Sequence, residues 1–398
     1  MPKPDFNAKT AMSNFNELKI SHRVIGLRMV SEHTSGRCRF LDGLRGWAAV
    51  VVLFHHTFVD GLPANSVMAN RAMWAPVFFL SGGLAVSVFF VVSGFSLSIR
   101  YLETGDEKGL VRLAAGRYVR LALPIFTICA ITYLLLILQV IPPAMQRPSP
   151  LNLFVAFEPS VSSLLNFSLL NVFVSHSPTQ TYDPPLWTMS YEFIGSFMVF
   201  SIIALVRSWQ LRSWSLATLF VALAVCQTFF ALFIAGILIA DQYLKLDRFK
   251  AINLVGATLC AAGLVLPFSL RDPSYILAAT FLTAGVAFFA PIRRLFENRL
   301  GDFLGYISFP LYLVQAAVIY SFSLHGLKIL ATFGFDVSMQ RWLVGSATIP
   351  VAILFAVAFC PINDIAVTVS RRLGSTCIVL VNHFKGLASL RPKLPNGV

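Results

Sequence analysis

Phe40-Leu41-Asp42-Gly43-Leu44-Arg45-Gly46-Trp47 opens an apolar run that closes on Leu53-Phe54-His55-His56. Its reach, about Leu41 to Val59, fits one bilayer crossing, yet it carries an acid, an arginine and two histidines. The whole chain has the same apolar character: of 398 residues, 57% are hydrophobic and 12% charged, and mean hydropathy is +0.73. Soluble domains carry nearer a quarter of charged residues, and a soluble core of this length could not hide so much apolar surface. Lipid must cover it, so the chain reads as an all-α integral membrane protein whose length is counted in spans.

Charge patterning gives direction. The net charge of +13 is spread in short basic clusters between apolar runs, as the positive-inside bias places them. That distribution argues against nucleic acid as a partner. The six cysteines form no CxxC pair and mostly lie in apolar runs, so neither a disulfide framework nor a metal site is expected. Residues 1–36 are polar and lack signal-peptide pattern, so they are expected to stay cytoplasmic, with the first span as its own insertion signal.

Further spans are expected at about Val77–Ile99, Arg120–Val140, Leu186–Val206, Ala251–Leu270, Tyr275–Ala290, Phe303–Phe322 and Trp342–Phe359. The third stops before Pro142-Pro143, which cannot continue a helix. The connection from Ile141 to Pro185 is long and almost free of Lys and Arg, whereas Arg100 to Arg117, Arg207 with Arg212, Lys245 to Lys250, and Arg293 to Arg299 are basic. Placing every basic cluster in the cytoplasm requires Trp214 to Asp241 to cross an even number of times. Those 28 residues are short for two spans, which need about 40. A tight helical hairpin resolves this, giving one bundle of ten helices over residues 37–365, a basic cytoplasmic tail at 366–398 and both termini inside.

A charge inside a span is costly and faces the bundle interior or a watery cavity. Arg45 and His56 are eleven residues apart, about three helical turns, so they share a face roughly 16 Å apart along the axis. His55 points about 80° away. An imidazole is well matched to general-base work, though a histidine at the interface can also simply cap a span. Asp42 on the same short segment favours function.

Ser93-Gly94 in the second span suits close helix packing. Arg117 and Arg120 share a helix face, where they either anchor the span or fork onto phosphates. Glu192 lies nearly two turns inside Leu186-Trp187-Thr188-Met189-Ser190-Tyr191-Glu192, so it must be protonated or paired with Arg or His. Trp187 can serve as an interfacial anchor. Pro310 should kink the late helix, and Tyr312 and Gln315 share a face.

Taken in order, these pieces resemble the acyltransferase-3 family of membrane O-acyltransferases. Arg45 with His56 after ten intervening residues is similar to the family's Arg-x10-His pattern. Phe90-Val91-Val92-Ser93-Gly94-Phe95, Arg117-x-x-Arg120, Leu186 to Glu192, and Gly305-Tyr306-Ile307-Ser308-Phe309-Pro310-Leu311-Tyr312-Leu313 resemble its later motifs.

The resemblance implies a ten-helix domain in a bacterial inner membrane, with acetyl-CoA or another acyl-CoA as donor and no permanently bound cofactor. It implies a hydroxyl of a surface or exported glycan or glycolipid as acceptor, with a macrolide or lipid acceptor as the variant within the class. It makes His56 catalytic with Arg45 and Glu192, seats the donor on Arg117 and Arg120, and gives supporting roles to Asp42, Ser93, Gly94, Trp187, Ser190 and Tyr312. Gln315 stands where many members have a second His, so no second catalytic His is expected. No hydrolase-like domain is expected after the membrane part, which is expected to act alone or with partners. A polytopic transporter is the competing class, but its signature of inverted repeats and paired broken helices is not found.

Overall fold

The computed structural model describes residues 38–62, 80–147, 151–153, 155–177, 179–246, 252–269 and 274–389. The expected cytoplasmic N-terminal segment, Arg248, Lys250 and the Arg271-Asp272-Pro273 turn lie outside the described residues. Among those described, the chain is all-helical and has no strand.

Helix α1 (Arg39–His55) passes directly into a π-helical turn, His56–Gly61. Helix α2 (Gly82–Thr104) begins where Ser81 Oγ accepts from Leu84 N, and it ends on Gly105, whose φ of 70° is the left-handed cap that glycine adopts without strain. Asp106 then caps α3 (Glu107–Ile137). That helix ends before Pro142-Pro143, and Gln139 at φ 56° turns the chain into the long connection. The connection closes on a 3₁₀ turn, Pro184–Trp187, with proline in its first positions, which leads into α4 (Thr188–Val206).

The Trp214–Asp241 stretch, expected as a hairpin, lies in two helices, α5 (Arg212–Val225) and α6 (Phe230–Leu246), which pack on each other. After them come α7 (Ile252–Ser269), α8 (Ser274–Phe288) and α9 (Ala290–Phe296). Helix α10 (Arg299–Val318) accommodates Pro310 within its length and continues through a π turn, Ile319–Ser323, into α11 (Leu324–Thr332). Helix α12 (Val337–Ser389) is continuous through much of the segment expected to be a tail.

Among the described residues, five helical stretches are long and apolar enough to cross a membrane: Gly82–Thr104, Glu107–Ile137, Pro184–Val206, Arg299–Thr332 and Val337–Val379. The pair Tyr275–Phe288 and Ala290–Phe296, bent by 97°, makes a sixth if it counts as one span. Arg212–Val225 and Ile252–Leu266 are apolar but shorter. Leu134, Leu205, Leu254, Leu354 and Phe355 turn outward although they are large and apolar. Helices that are apolar on every side fit a membrane surround.

Glycines set the helix crossings. A Cβ on Gly46 would lie 2.5 Å from Gly305 N, and one on Gly305 2.6 Å from the Asp42 carbonyl. Backbone therefore touches backbone where α1 meets α10. The two run parallel, since Arg39 and Asp302 pair in their first turns. Gly94 against Phe233 and Gly236 against Val91 bring α2 and α6 together with the same intimacy, and the ring pairs Phe90–Phe229 and Phe95–Tyr243 show that these two helices run parallel. Helices α3 and α12 are antiparallel, with Gly116 against Ser370 and Gly374 against Arg112.

Candidate active site

The polar side chains gather at two levels. The first is at the far end of α1. His56 Nδ1 lies 3.0 Å from Asp60 Oδ2, one turn further on, and His55 Nε2 lies 3.6 Å from Asp60 Oδ1. His55 Nδ1 is 2.6 Å from the Leu80 carbonyl, and its ring packs against Gly82 at the start of α2. The π turn begins at His56 and contains Asp60. Such bulges are often found at functional sites. His56 is the more open of the two imidazoles, at 29% against 15% exposure.

The second level lies toward the start of α1, where Phe95, two residues from Ser93, packs on Phe40 at 5.9 Å. Glu192 pairs with Arg117 and also accepts from Ser93 Oγ at 2.9 Å. Arg117 Nε donates to Ser196 Oγ at 2.7 Å, and Ser196 Oγ donates to the Glu192 carbonyl one turn away. Three helices, α2, α3 and α4, are thus joined by one carboxylate and one guanidinium, both about 14% exposed or less. A buried carboxylate needs such partners, because its desolvation is otherwise uncompensated. Arg120 donates to Asn363 Oδ1 at 2.9 Å on α12 and lies over the Phe309 ring. The charges of Arg117, Arg45 and Arg371 all act on Arg120, with Asp364 as the opposing charge.

The other expected residues frame these groups. Tyr312 donates to the Pro185 carbonyl and sits 2.7 Å from Thr188 Oγ1, pinning the start of α4 to α10. Trp187 packs on Tyr191 and Phe229, and Ser190 Oγ donates to the Trp187 carbonyl at 3.2 Å. Gly94 is a packing residue at the α2–α6 crossing, and half-buried Asp42 presents its backbone to Gly305.

Ser93 is eleven residues along α2 from Gly82, which abuts His55, so the Glu192 cluster lies about 16 Å from the histidine level. The structure therefore joins Glu192 to Arg117 and separates that pair from His56. Asp60, Ser196 and Asn363 were missed by sequence reasoning. Asp60, four residues after His56, carried a usable signal: an acid one turn from a histidine.

The His56 end is closed by the long connection. Arg147 Nε donates to the Pro142 carbonyl at 2.7 Å and Nη2 to the Val155 carbonyl at 3.2 Å, while its guanidinium lies over Tyr320. Asp183, just before α4, is 1% exposed, and neither carboxyl oxygen has a hydrogen-bond partner among the described residues. Burial pushes that carboxyl well above the usual aspartate range.

Residues 39–361, most of the chain, match the model of the acyltransferase-3 family, described as an acyltransferase domain. The chain belongs to this family. It is an acyltransferase, and its apolar helices suit a multi-pass membrane enzyme. No curated protein and no solved structure matched it. In the acyltransferase the matched region contains both polar levels apart from Asn363, the Arg120 partner on α12, which lies two residues beyond its end.

Proposed function

We propose that this acyltransferase crosses a bacterial inner membrane ten times, with both termini cytoplasmic. It moves an acyl group, acetyl in the simplest case, from acyl-CoA to a hydroxyl of a surface or exported polysaccharide. The observation that supports this is the division of the site into an arginine level and a histidine level about 16 Å apart along α1. A CoA thioester has the same two-ended form, with phosphates at one end of a flexible arm and the reactive carbonyl at the other.

Arg45, Arg117 and Arg120 seat the phosphates, where guanidinium forks are strongest. At the other end, Asp60 accepts Nδ1–H of His56, which leaves Nε2 as the base. Nε2 takes the proton from the acceptor hydroxyl as its oxygen bonds to the thioester carbon. The tetrahedral intermediate then expels the CoA thiolate, which receives that proton from His56. Glu192 holds Arg117 in place while the donor site is empty.

The test compares a strain lacking the gene, complemented with wild type or His56→Ala, by NMR of its surface glycans. Acetyl signals restored only by wild type support the assignment, and identical acetylation in both strains removes it for that glycan. Equal acetyl-CoA binding by wild type and an Arg117→Ala/Arg120→Ala double variant would remove the donor seat separately.

A further inference from the structure

Helix α12 runs on past the length a bilayer needs. Its apolar stretch Val337–Val379 has 43 residues, about 65 Å, against a hydrocarbon core of about 30 Å. Helix α3 runs beside its later part: Arg120 meets Asn363, Gly116 meets Ser370 and Arg112 meets Gly374. That seam leads away from the histidines, because α2 runs from His55 past Ser93 to Thr104, where α3 starts. Arg371 stands on it, next to Ser370 and ten residues beyond the end of the family match. It is exposed and makes no ion pair among the described residues.

Arg371 borders a cleft between α3, α10 and α12. It lies two turns from Asp364 on one face of α12, and Asp364 accepts from the Tyr306 hydroxyl of α10 at 2.8 Å. From there its charge acts on half-buried Arg120, as do those of Arg117 and Arg45. Glu192 balances Arg117. Arg120, by contrast, touches only neutral groups among the described residues, the Asn363 amide oxygen and the Phe309 ring, with Asp364 as the opposing charge. Like charges gathered in a partly buried cleft repel unless an anion lies between them. The arrangement suits a ligand with more than one phosphate, the group that guanidinium forks hold best.

CoA carries phosphate in two places. A pyrophosphate adjoins the pantetheine arm, and a separate ester sits on the ribose 3′ oxygen, farther from the thiol. Arginines that hold the pyrophosphate leave the 3′ group unheld. Arg371 lies on the side of Arg120 away from His56, and so away from the thioester.

We propose that Arg371 holds the ribose 3′-phosphate of the donor while Arg117 and Arg120 hold its pyrophosphate. This rests on the acyl-transfer reading and adds the feature by which the enzyme selects CoA over its 3′-dephosphorylated form. A lipid phosphate at the membrane surface shares the same chemistry, so the experiment separates the two sources.

Full-length protein in nanodiscs of zwitterionic lipid is titrated with CoA and with 3′-dephospho-CoA by calorimetry. CoA is expected to bind tenfold or more tightly, about 1.4 kcal/mol. Arg371→Gln should bring the two within about twofold of each other and leave the affinity for dephospho-CoA unchanged. Arg372→Gln removes the same charge roughly 100° further round the helix and should keep the preference. Equal binding of the two nucleotides by wild type, or a preference that survives Arg371→Gln, overturns the proposal. So does an equal loss in both variants, which marks diffuse surface charge. Native mass spectrometry with added phosphatidylglycerol supplies the lipid arm. Arg371-dependent retention of that lipid, without Arg371-dependent discrimination between the nucleotides, assigns the arginine to the membrane and overturns the proposal as well. Arg371-dependent selection of CoA without His56-dependent acetyl transfer supports the subsite while sinking the acyl-transfer reading. Binding of neither nucleotide sinks both.

Discussion

Asp60 Oδ2 stands 3.0 Å from His56 Nδ1, one turn further along the same helical segment and inside a π-helical turn. A carboxylate there can fix the imidazole ring and its tautomer, which in the proposed reaction leaves Nε2 as the base. Asp60→Asn keeps the shape and removes the charge. It is expected to lower kcat about 100-fold or more, on the scale of comparable orienting carboxylates. Acetyl-CoA binding, measured by calorimetry, should change little.

The Arg117–Glu192 pair has a structural and a functional face. Arg117→Ala leaves the Glu192 carboxylate without its cation, with only Ser93 Oγ still donating to it, and is expected to cost about 3 kcal/mol of stability. Glu192→Gln frees the guanidinium without deleting it, so donor affinity should hold or rise while the melting temperature falls. Donor affinity falling as far in Glu192→Gln as in Arg117→Lys would show that the pair acts only as a structural tie.

Asp183 supplies a pH test. Its folded carboxyl is pushed up by burial, whereas an unfolded aspartate ionises near pH 3.9. As pH rises past that unfolded value, ionisation favours the unfolded chain, and stability is lost progressively towards the folded value. Wild type should therefore melt at a lower temperature at about pH 8 than at about pH 5, and Asp183→Asn should flatten this component. Parallel pH profiles for the two proteins would contradict it.

Gly94 tests packing against chemistry. A Cβ there would lie 2.2 Å from the Phe233 carbonyl oxygen, so even Gly94→Ala must push α2 from α6. A stability loss of about 1–3 kcal/mol is expected. Acetyl transfer per folded molecule should stay near wild type, and a selective loss of transfer would give Gly94 a chemical role.

Much of this was legible in the sequence because membrane residence is a property of composition, and the α-helix that carries Arg45 runs straight up to His56. A count of eleven residues gives their separation without any tertiary knowledge. The partner of Glu192 was legible only as a class, Arg or His, since Arg117 lies 75 residues away on another helix. Asp60 escaped notice because the chain leaves α-helical geometry at His56. Close packing at Gly94 was legible in the sequence, and its partner helix α6 appears only once the fold is in place. Ten crossings followed from charge parity, while length and composition alone support five or six.

The choice between the two histidines bears most directly on the proposed chemistry, because both approach Asp60 and only one can present its Nε2 to the acceptor. Purified wild type, His55→Ala and His56→Ala in proteoliposomes, supplied with acetyl-labelled acetyl-CoA and an acceptor glycan, settle it by the label transferred. The expected result is transfer reduced about 100-fold or more in His56→Ala, with a smaller loss in His55→Ala. Full transfer by His56→Ala would contradict the proposed role of His56.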